Sequence, residues 1–411
     1  MMVKKKGLLA AGAVAAAAGL VLAGCSGATG SAEEAKGDAK STLVVWVDAD
    51  RGTVLKDAAA AFEKESGVAV KLVQKDFPKI QAEFLAQVPT GKGPDITIGA
   101  HDWLGNLVSN GVVQPVELGE TAADFQPVAV TAMSYEGTTY GVPYSIENIA
   151  LLRNTALAPT APATFDEMVA AGVAAGSEFP YLVGLTEEAD PYHLYPFQTS
   201  FGAPVFATNP DGSYNPDELS IGDAGGEAFA TWLAAEGAAG RLSANLTGDL
   251  AKEKFIAGAS PFYITGPWTV PEALAGGIDV AVDPIPSAGG QLSQPFVGVQ
   301  GFFVSAKTKN ALAANEFLVN YIGSEKVQTE LYDIGGRPPA LTAAFEAASS
   351  DPITAGFGAV AATAVPMPSI PQMGKVWQFW GVTEAAIISG KGDPVALWQK
   401  MAADVKAAVQ E

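Results

Sequence analysis

Three side chains that could contact a ligand follow a short apolar run in the stretch GPDITIGAHDWLG, residues 93–105. They are His101, Asp102 and Trp103. A carboxylate accepts several hydrogen bonds at once, and a flat indole ring covers apolar surface. The same residues also suit a helix start, with Asp102 as the N-cap of a helix through Leu107. The pattern leaves two interpretations: one wall of a ligand site, or a helix cap with ordinary neighbours.

Residue types that serve most catalytic and metal chemistry are scarce. Two histidines and one cysteine in 411 residues leave no His/Cys cluster for zinc. Neither G-x-S-x-G nor G-x-x-x-x-G-K-[ST] occurs, which argues against a serine hydrolase and against an ATPase. We therefore expect no enzyme activity, no metal and no cofactor. Glycoside hydrolysis needs only two carboxylates at a set separation, and the sequence leaves it open.

Length and charge narrow the class of protein further. A chain of 411 residues exceeds the size of a typical single core, so two domains are expected. Acidic residues number 44 against 24 basic ones, for a net charge of −20. Binding to nucleic acid needs a surplus of Lys and Arg on one face, so nucleic acid is not an expected partner.

The N-terminal segment has the pattern of an export signal. Three lysines at 4–6 precede an apolar stretch, Leu8 to Leu22, that is shorter than a membrane span. The following LAGC resembles the bacterial lipoprotein signal box, in which Cys25 would be lipidated after removal of residues 1–24. Residues 25–41 are rich in Gly, Ser, Ala and charge, as in a flexible tether. The alternative is a plain secretory signal with an incidental cysteine; either way, a single cysteine forms no intrachain disulfide.

The first folded segment predicts a parallel α/β sheet. TLVVWV, residues 42–47, is typical of a buried strand, a helical pattern follows as far as Gly67, and a second strand alternates after it. PDITIG is a third strand. Ligands of such sheets bind beyond the carboxyl ends of the strands, which makes the loops at 48–52 and 100–103 candidates. Farther on, Thr164 with Glu167 three residues later predicts the start of a helix.

Several stretches resemble the maltose/maltodextrin-binding proteins of ABC importers, in the order of that family. They are LVVWVDADRG, FEKESGVAVKLV, GKGPDITIGAHDWLGNLVSNGVVQPV, ITGPWTVPEAL, QPFVGVQGFFVSA and SIPQMGKVWQFW. The resemblance implies an α/β, two-lobed periplasmic-binding-protein-like fold with a sugar cleft between the lobes. Lobe one would hold residues 42–146 plus 300–322, and lobe two residues 151–295 plus 327–411. The chain would cross between them near 147–150, 296–299 and 322–326.

The resemblance also implies ligand-binding residues. They are Asp50, Arg51, Asp102, Glu147, Asp190, Tyr192, Trp268 and Trp377. Their carboxylates would accept hydroxyl hydrogen bonds, and their aromatic rings would cover the C–H faces of a sugar. Alternatives remain for each: Asp50 and Arg51 fit a solvated turn, Glu147 fits a hinge-surface charge, and a tryptophan is commonly core. Asp190 replaces a family Glu, which weakens its match.

Three departures from the family pattern fall at the expected site. Gly99 stands where well-known members have a tryptophan, Trp103 stands where an arginine follows the aspartate, and Gly381 stands where another arginine is common. These changes remove hydrogen-bond donors and alter an aromatic wall. We hypothesise that Trp103 is a ligand-binding residue that partly supplies the missing wall; otherwise it packs within its own helix.

The function that this resemblance implies is extracellular capture of maltose or maltodextrin-type α-glucans for an ABC importer. The expected partners are an oligosaccharide ligand and membrane permease subunits. The protein would be a monomer, held by a lipid anchor (palmitate among its acyl chains) on the extracytoplasmic face of the bacterial membrane. Two alternatives stay open: a receptor of the same fold for another sugar such as trehalose, and an extracellular glycosidase using Asp102 and Glu147.

Overall fold

Strands and helices alternate along much of the chain in the computed structural model, which describes residues 42–209 and 213–410. The strands are β1 (Thr42–Val47), β2 (Ala69–Gln74), β3 (Ile96–Ala100), β4 (Val113–Gln114), β5 (Ser134–Tyr135), β6 (Thr138–Thr139), β7 (Gly141–Asn148), β8 (Ala150–Asn154), β9 (Leu182–Val183), β10 (Phe206–Thr208), β11 (Tyr214–Leu219), β12 (Phe262–Thr265), β13 (Val280–Asp283), β14 (Phe296–Ser305) and β15 (Val365–Pro366).

Helices connect and cover these strands. They are α1 (Ala49–Ser66), α2 (Phe77–Gln87), α3 (Leu104–Ser109), α4 (Pro127–Ala132), α5 (Phe165–Ala174), α6 (Pro191–Ser200), α7 (Ala224–Ala238), α8 (Gly248–Ile256), α9 (Val270–Ala275), α10 (Ala311–Glu316), α11 (Glu325–Gly335), α12 (Thr342–Ala348), α13 (Pro352–Ala361), α14 (Met373–Ile388) and α15 (Pro394–Val409). Within the described ranges, no helix has the length and apolarity that a membrane crossing requires. The predicted signal, Cys25 and the tether lie outside the described residues.

The first sheet contains the β-loop-α-β unit that the sequence predicts. Its strand order is β15-β14-β3-β1-β2, with β4 and β7 also paired to β14. β1 runs parallel to β2 and β3, so the carboxyl ends of β1 and β3 share one edge. α1 ends at Gly67, whose φ of 74° suits a residue without a Cβ. The predicted loop at 48–52 is instead the first turn of α1, because Asp48 caps that helix through the Arg51 N–H.

A second sheet, of order β13-β8-β12-β9, lies in the other half of the polypeptide. β12 is buried along its whole length, as a short apolar run bounded by Gly258 and Gly266 would predict. The helices α7, α14 and α15 pack against one another in this half and bury Trp380 and Trp398 completely. The mixed α/β class predicted from the sequence is confirmed.

Two large cores divide the buried side chains. The first core contains residues of β1, β3 and α1, and the second contains residues of α6, α7, α14 and α15. The chain passes from the first to the second between Tyr144 and Ile149, and back between Phe296 and Val299. β7 and β14 therefore run side by side where the two cores meet.

The chain leaves the first core for the last time later than the expected crossing near 322–326. Val327, Leu331 and Ala344 pack in the first core, although residues 327–411 were assigned to lobe two. The reason is the apolar stripe of α11, which buries Val327 and Leu331 four residues apart while this helix packs on α1. The chain returns to the other half before Phe357, which packs in a smaller third core with β8 and β12 residues. The lobe boundaries themselves stay a prediction.

Candidate functional site

The turn after β3 carries His101, Asp102 and Trp103. His101 is buried, and its ring joins two distant segments: Nε2 lies 3.0 Å from the Met367 carbonyl oxygen, and Nδ1 accepts from the Val299 N–H at 3.0 Å. Nδ1 must be unprotonated to accept, so the ring donates through Nε2. Burial lowers the pKa of His101 to about 4, which keeps the imidazole neutral at physiological pH. His101 therefore ties the turn to β14 rather than contacting a ligand.

Asp102 points toward the other half of the polypeptide. Its Oδ2 accepts a hydrogen bond from the Trp377 indole Nε1 at 3.2 Å, across 275 residues of sequence. The helix-cap alternative is wrong, since neither the turn at 101–103 nor α3 has a side-chain cap. The Asp102 Oδ1 is buried and has no hydrogen-bond partner among the described residues. Burial raises the pKa of Asp102 to about 7, against the smaller opposing effect of the Trp377 hydrogen bond.

Trp103 lies against Gly99, one of the departures from the family pattern. A Cβ built on Gly99 would come within 2.6 Å of the Trp103 ring, so the ring occupies the place of a residue-99 side chain. The other neighbour of Trp103 is Phe77, at 5.2 Å between ring centroids. The half-buried indole is thus held between α2 and β3. A tryptophan at 99 and one at 103 could not both adopt these positions.

Arg51 is buried among side chains that belong to the same half of the chain. Its guanidinium donates to the Tyr144 hydroxyl and pairs with Asp48. The guanidinium carbon lies 5.1 Å from the Phe77 ring centroid and 5.3 Å from that of Tyr144. Burial alone would lower the pKa of Arg51, but these neighbours raise it above its usual value, so the charge persists. The side chain of Asp50 lies outside the described residues.

Glu147 is buried at the end of β7, where the two cores meet. Its Oε1 accepts from the Gln300 side-chain amide at 2.9 Å, and its Oε2 accepts from Arg337 Nε at 3.0 Å. The alternative of a hinge-surface charge is wrong, because Glu147 is only 5% exposed. Gln300 and Arg337 were not among the predicted residues. The signal for Gln300 was present, since it is the only polar residue in the apolar run FVGVQGFFV.

The start of α6 supplies another group of candidate residues. Asp190 caps the helix through the His193 N–H and also holds the His193 ring at Nδ1, 2.7 Å away. The Tyr192 ring stacks on Phe296 at 6.4 Å, and its hydroxyl is buried without a partner among the described residues. Burial raises the pKa of Tyr192, and Glu147, Asp190 and Asp102 raise it further in that order. Three predicted carboxylates therefore lie near enough to this phenol to raise its pKa.

Two tryptophans border this cluster. Trp268 lies with its ring centroid 5.4 Å from the Arg337 guanidinium carbon and meets the His193 ring edge-on at 5.9 Å. Trp377 stacks on the buried Trp380 at 5.2 Å, which fixes one of its faces. Both tryptophans are half-buried.

Gly381 shows why an arginine is absent from the next turn of α14. A Cβ there would lie 2.3 Å from the Glu188 carbonyl oxygen. The close approach of this loop leaves no room for a side chain at 381 and brings the following segment, with Asp190, against α14.

The structure thus brings most of the predicted residues together where the two cores meet. Asp102, Glu147, Asp190, Tyr192, Trp268 and Trp377 form one cluster, to which Gln300 and Arg337 belong by contact. Arg51 and Trp103 form a second, adjoining group with Phe77. No group of three or more His, Cys, Asp or Glu side chains with metal-binding geometry occurs among the residues described. The cluster offers hydrogen-bond acceptors, hydroxyls and aromatic rings.

Comparison with known proteins assigns the chain to a family. Residues 57–356 match the family of bacterial extracellular solute-binding proteins, and the chain belongs to that family. The chain is also similar to a solved structure, the Thermus thermophilus maltotriose binding protein bound with maltotriose, and this similarity agrees with a two-lobed fold. The TM-score is 0.83 at 30% identity, over 89% of this chain and 100% of that one.

Curated relatives differ in the sugars that their names carry. The chain is 28% identical to the galactooligosaccharide-binding protein of Bacillus subtilis (strain 168), over 96% of both chains. It is 25% identical to a maltooligosaccharide ABC transporter solute-binding lipoprotein of Streptococcus pneumoniae (strain ATCC BAA-255 / R6), over 88% of this chain and 87% of the relative. These relatives are binding proteins by name.

Proposed function

We propose that this protein is the extracellular oligosaccharide receptor of an ABC importer and that it binds maltodextrin-type α-glucans between its two cores. The observation that carries the proposal is the Asp102–Trp377 pair. A buried carboxylate with one unpartnered oxygen is hydrogen-bonded through its other oxygen to an aromatic ring from the opposite half. Similarity to a maltotriose-bound structure over 89% of the chain supports the ligand class.

The chemistry of the cluster suits a sugar. Hydroxyl groups of the ligand would donate to Asp102 and Glu147, each bond to a charged acceptor contributing about 1.5–3 kcal/mol. Trp268 and Trp377 would cover C–H faces, and burying about 100 Å² of such a face contributes on the order of 2.5 kcal/mol. Both oxygens of Asp190 already bond to His193, one to its backbone N–H as the α6 cap and one to its ring. Asp190 would therefore act mainly by fixing the start of α6, which positions Tyr192.

The two-lobed arrangement provides a means of enclosing the ligand. Lobe one would contain the first core, and lobe two the second and third cores, with the crossings at 147–150 and 296–299 as the hinge. Since Asp102 and Trp377 come from opposite lobes, closure would complete the site and exclude water. The permease would recognise the closed form.

The Arg51 group would form the far end of the cleft. Trp103, seated on Gly99, would present an aromatic surface where other family members use a tryptophan at position 99. Arg51 would stabilise this end through Phe77 without giving up its pairing with Asp48. Asp50, the preceding residue in the sequence, stays a predicted ligand residue. The preferred chain length or linkage would differ accordingly.

A second candidate ligand is a galactooligosaccharide, favoured by the relative that matches over 96% of both chains. The polar cluster binds hydroxyls of either sugar, and the shape of the aromatic walls would discriminate between them. Catalysis by Asp102 and Glu147 is disfavoured, since Glu147 is held by Gln300 and Arg337.

For location, we propose the lipid-anchored state predicted from LAGC, with Cys25 acylated at the outer face of the membrane. A relative named as a lipoprotein supports this. The partners would be the membrane permease subunits, and the receptor itself would be a monomer.

A thermal-shift panel tests ligand class. Maltose to maltoheptaose, β-1,4-galactobiose, β-1,4-galactotriose, trehalose and a set of amino acids are added to the protein lacking residues 1–24. Saturating ligand at about 100 times Kd should add about 2.7 kcal/mol to the free energy of unfolding. We expect α-glucans to raise the Tm, and amino acids not to. A response only to galactosides would favour the second candidate. Chromatography of each sugar afterwards should show it intact; shorter products would indicate a glycosidase.

A further inference from the structure

The strands β7 and β14 form the floor of the cluster. Their antiparallel register pairs Ser145 with Gln300 and Glu147 with Gly298. Residues two apart on a strand share a face, so these four positions lie on one side of the two strands. Gly298 has no side chain, and the Tyr192 hydroxyl lies 3.6 Å from the position its Cβ would take. The face therefore has polar groups around a gap that Gly298 leaves open.

The orientation of the Gln300 amide follows from its partner. A carboxylate oxygen can only accept, so the Gln300 Nε2 must face the Glu147 Oε1, 2.9 Å away. Arg337 holds the other oxygen of the same carboxylate, which prevents Glu147 from rotating. The Gln300 Oε1 is consequently fixed as an acceptor that points away from Glu147. It is buried and has no hydrogen-bond partner among the described residues.

Unpartnered buried polar atoms are concentrated at this place. Besides the Gln300 Oε1, the Ser145 Oγ and the Tyr192 hydroxyl are buried without a partner among the described residues. Gln300 is 6% exposed and Ser145 is fully buried. A buried polar atom without a hydrogen bond costs about 1–3 kcal/mol, so such groups rarely persist together without a ligand to satisfy them.

We propose that Gln300 contacts the ligand directly and determines its specificity, accepting a hydrogen bond from one sugar hydroxyl through Oε1. Tyr192 and Ser145 complete the polar floor around that hydroxyl. Besides the hydroxyl that it would accept itself, Glu147 positions this second acceptor, because its pairing with Arg337 fixes the amide of Gln300 that faces the sugar. The inference rests on the proposed function and names the acceptor within the same site.

The test uses Gln300→Leu, with Gln300→Met as a second variant that keeps the length of the side chain. Gln328→Leu is the matched control. Its amide is buried too, but it bonds to the Pro143 and Ile322 carbonyl oxygens and to the Leu341 N–H, away from the cluster. Affinity is measured by calorimetry with maltotriose and with its monodeoxy derivatives, and Tm is recorded for each variant.

We expect Gln300→Leu and Gln300→Met to weaken maltotriose binding about tenfold or more, the loss expected for an unpartnered hydroxyl. One monodeoxy sugar should bind weakly to the wild type yet bind either variant as well as maltotriose does. Glu147→Gln should shrink that hydroxyl-specific difference, because the amide is no longer fixed in one orientation. Gln328→Leu should lower Tm and leave affinity within about twofold.

Two results would overturn the inference. One is maltotriose affinity within twofold of the wild type in both Gln300 variants. The other is an unchanged pattern of sensitivity across the monodeoxy sugars. Both presuppose that the wild type binds maltotriose. A wild type that binds no oligosaccharide would instead contradict the proposed function; if only a galactotriose binds, the same variants are titrated with that sugar.

Discussion

Protonation of Asp102 should make oligosaccharide binding depend on pH. Burial raises the pKa of this carboxyl to about 7. Hydrogen bonds from sugar hydroxyls favour the charged form and would return the pKa toward its ordinary value of 3.8. Below pH 7 the free protein is protonated at Asp102 and must release that proton on binding. Affinity should therefore rise with pH, by roughly 90-fold between pH 5 and pH 8 if the whole shift is reversed.

The raised pKa of Asp102 should also make the stability of the sugar-free protein depend on pH. Asp102 has a higher pKa in the folded state than in the unfolded state, so the unfolded state binds fewer protons between pH 4 and pH 7. The sign is then a loss of stability as pH rises through that window, on the order of 4 kcal/mol at its upper end. Asp102→Asn removes the charge and should flatten both profiles.

Calorimetry in two buffers of different ionisation enthalpy measures the proton release directly. We expect close to one proton per bound sugar at pH 5 and almost none at pH 8. Asp351→Asn is the control, because it removes a carboxylate charge at the start of α13, away from the cluster, while the amide oxygen can still cap that helix; it should keep the wild-type profile. A wild-type affinity that is constant from pH 5 to 8, or an Asp102→Asn variant that retains the slope, would show that Asp102 is not the group that releases the proton.

Three further outcomes are expected. Trp103→Ala removes the ring packed on Gly99 and Phe77 and should cost about 2 kcal/mol of stability together with about tenfold of sugar affinity; lower Tm with unchanged affinity would leave Trp103 as core. Glu384 is fully buried, neither of its carboxylate oxygens has a partner among the described residues, and burial raises its pKa. Glu384→Gln should therefore raise the urea midpoint of unfolding more at pH 8 than at pH 5, because the cost of burying this carboxyl grows with pH in the wild type and is absent from the variant. An equal effect at both pH values would contradict this. Cys25→Ala should release the protein from the membrane fraction without altering its Tm, and continued membrane association would disprove the lipid anchor.

Local features of the fold were predictable because their causes are local. Gly67 ends α1 in the left-handed conformation, and the Thr164 hydroxyl caps α5, as the residue types predict. Glu167 accepts from the N–H of Ala163, one residue before the cap. The predicted loop at 48–52 was wrong because Asp48 and Arg51 pair within a helix turn.

Contacts across the cluster were beyond sequence reasoning without the family resemblance. The Asp102–Trp377 bond joins residues 275 apart, and no local pattern specifies it. Arg337 lies in GGRPPA, which reads as a turn, and its pairing with Glu147 depends on how β7 and α11 come together. The sequence suggests that Trp103 compensates for the missing tryptophan at position 99. Only the structure shows that the Trp103 ring occupies the space that a side chain at Gly99 would take.

Sugar binding where the two cores meet can be measured in one calorimetric titration. Maltotriose is titrated into the wild type and into Asp102→Ala at pH 8. We predict a single site in the wild type with micromolar or tighter Kd, about −8 kcal/mol or stronger, and a Kd weaker by about 30- to 150-fold in the variant. Equal affinity in both proteins, or no heat with maltotriose or any longer α-glucan, would show that α-glucans do not bind at this cluster.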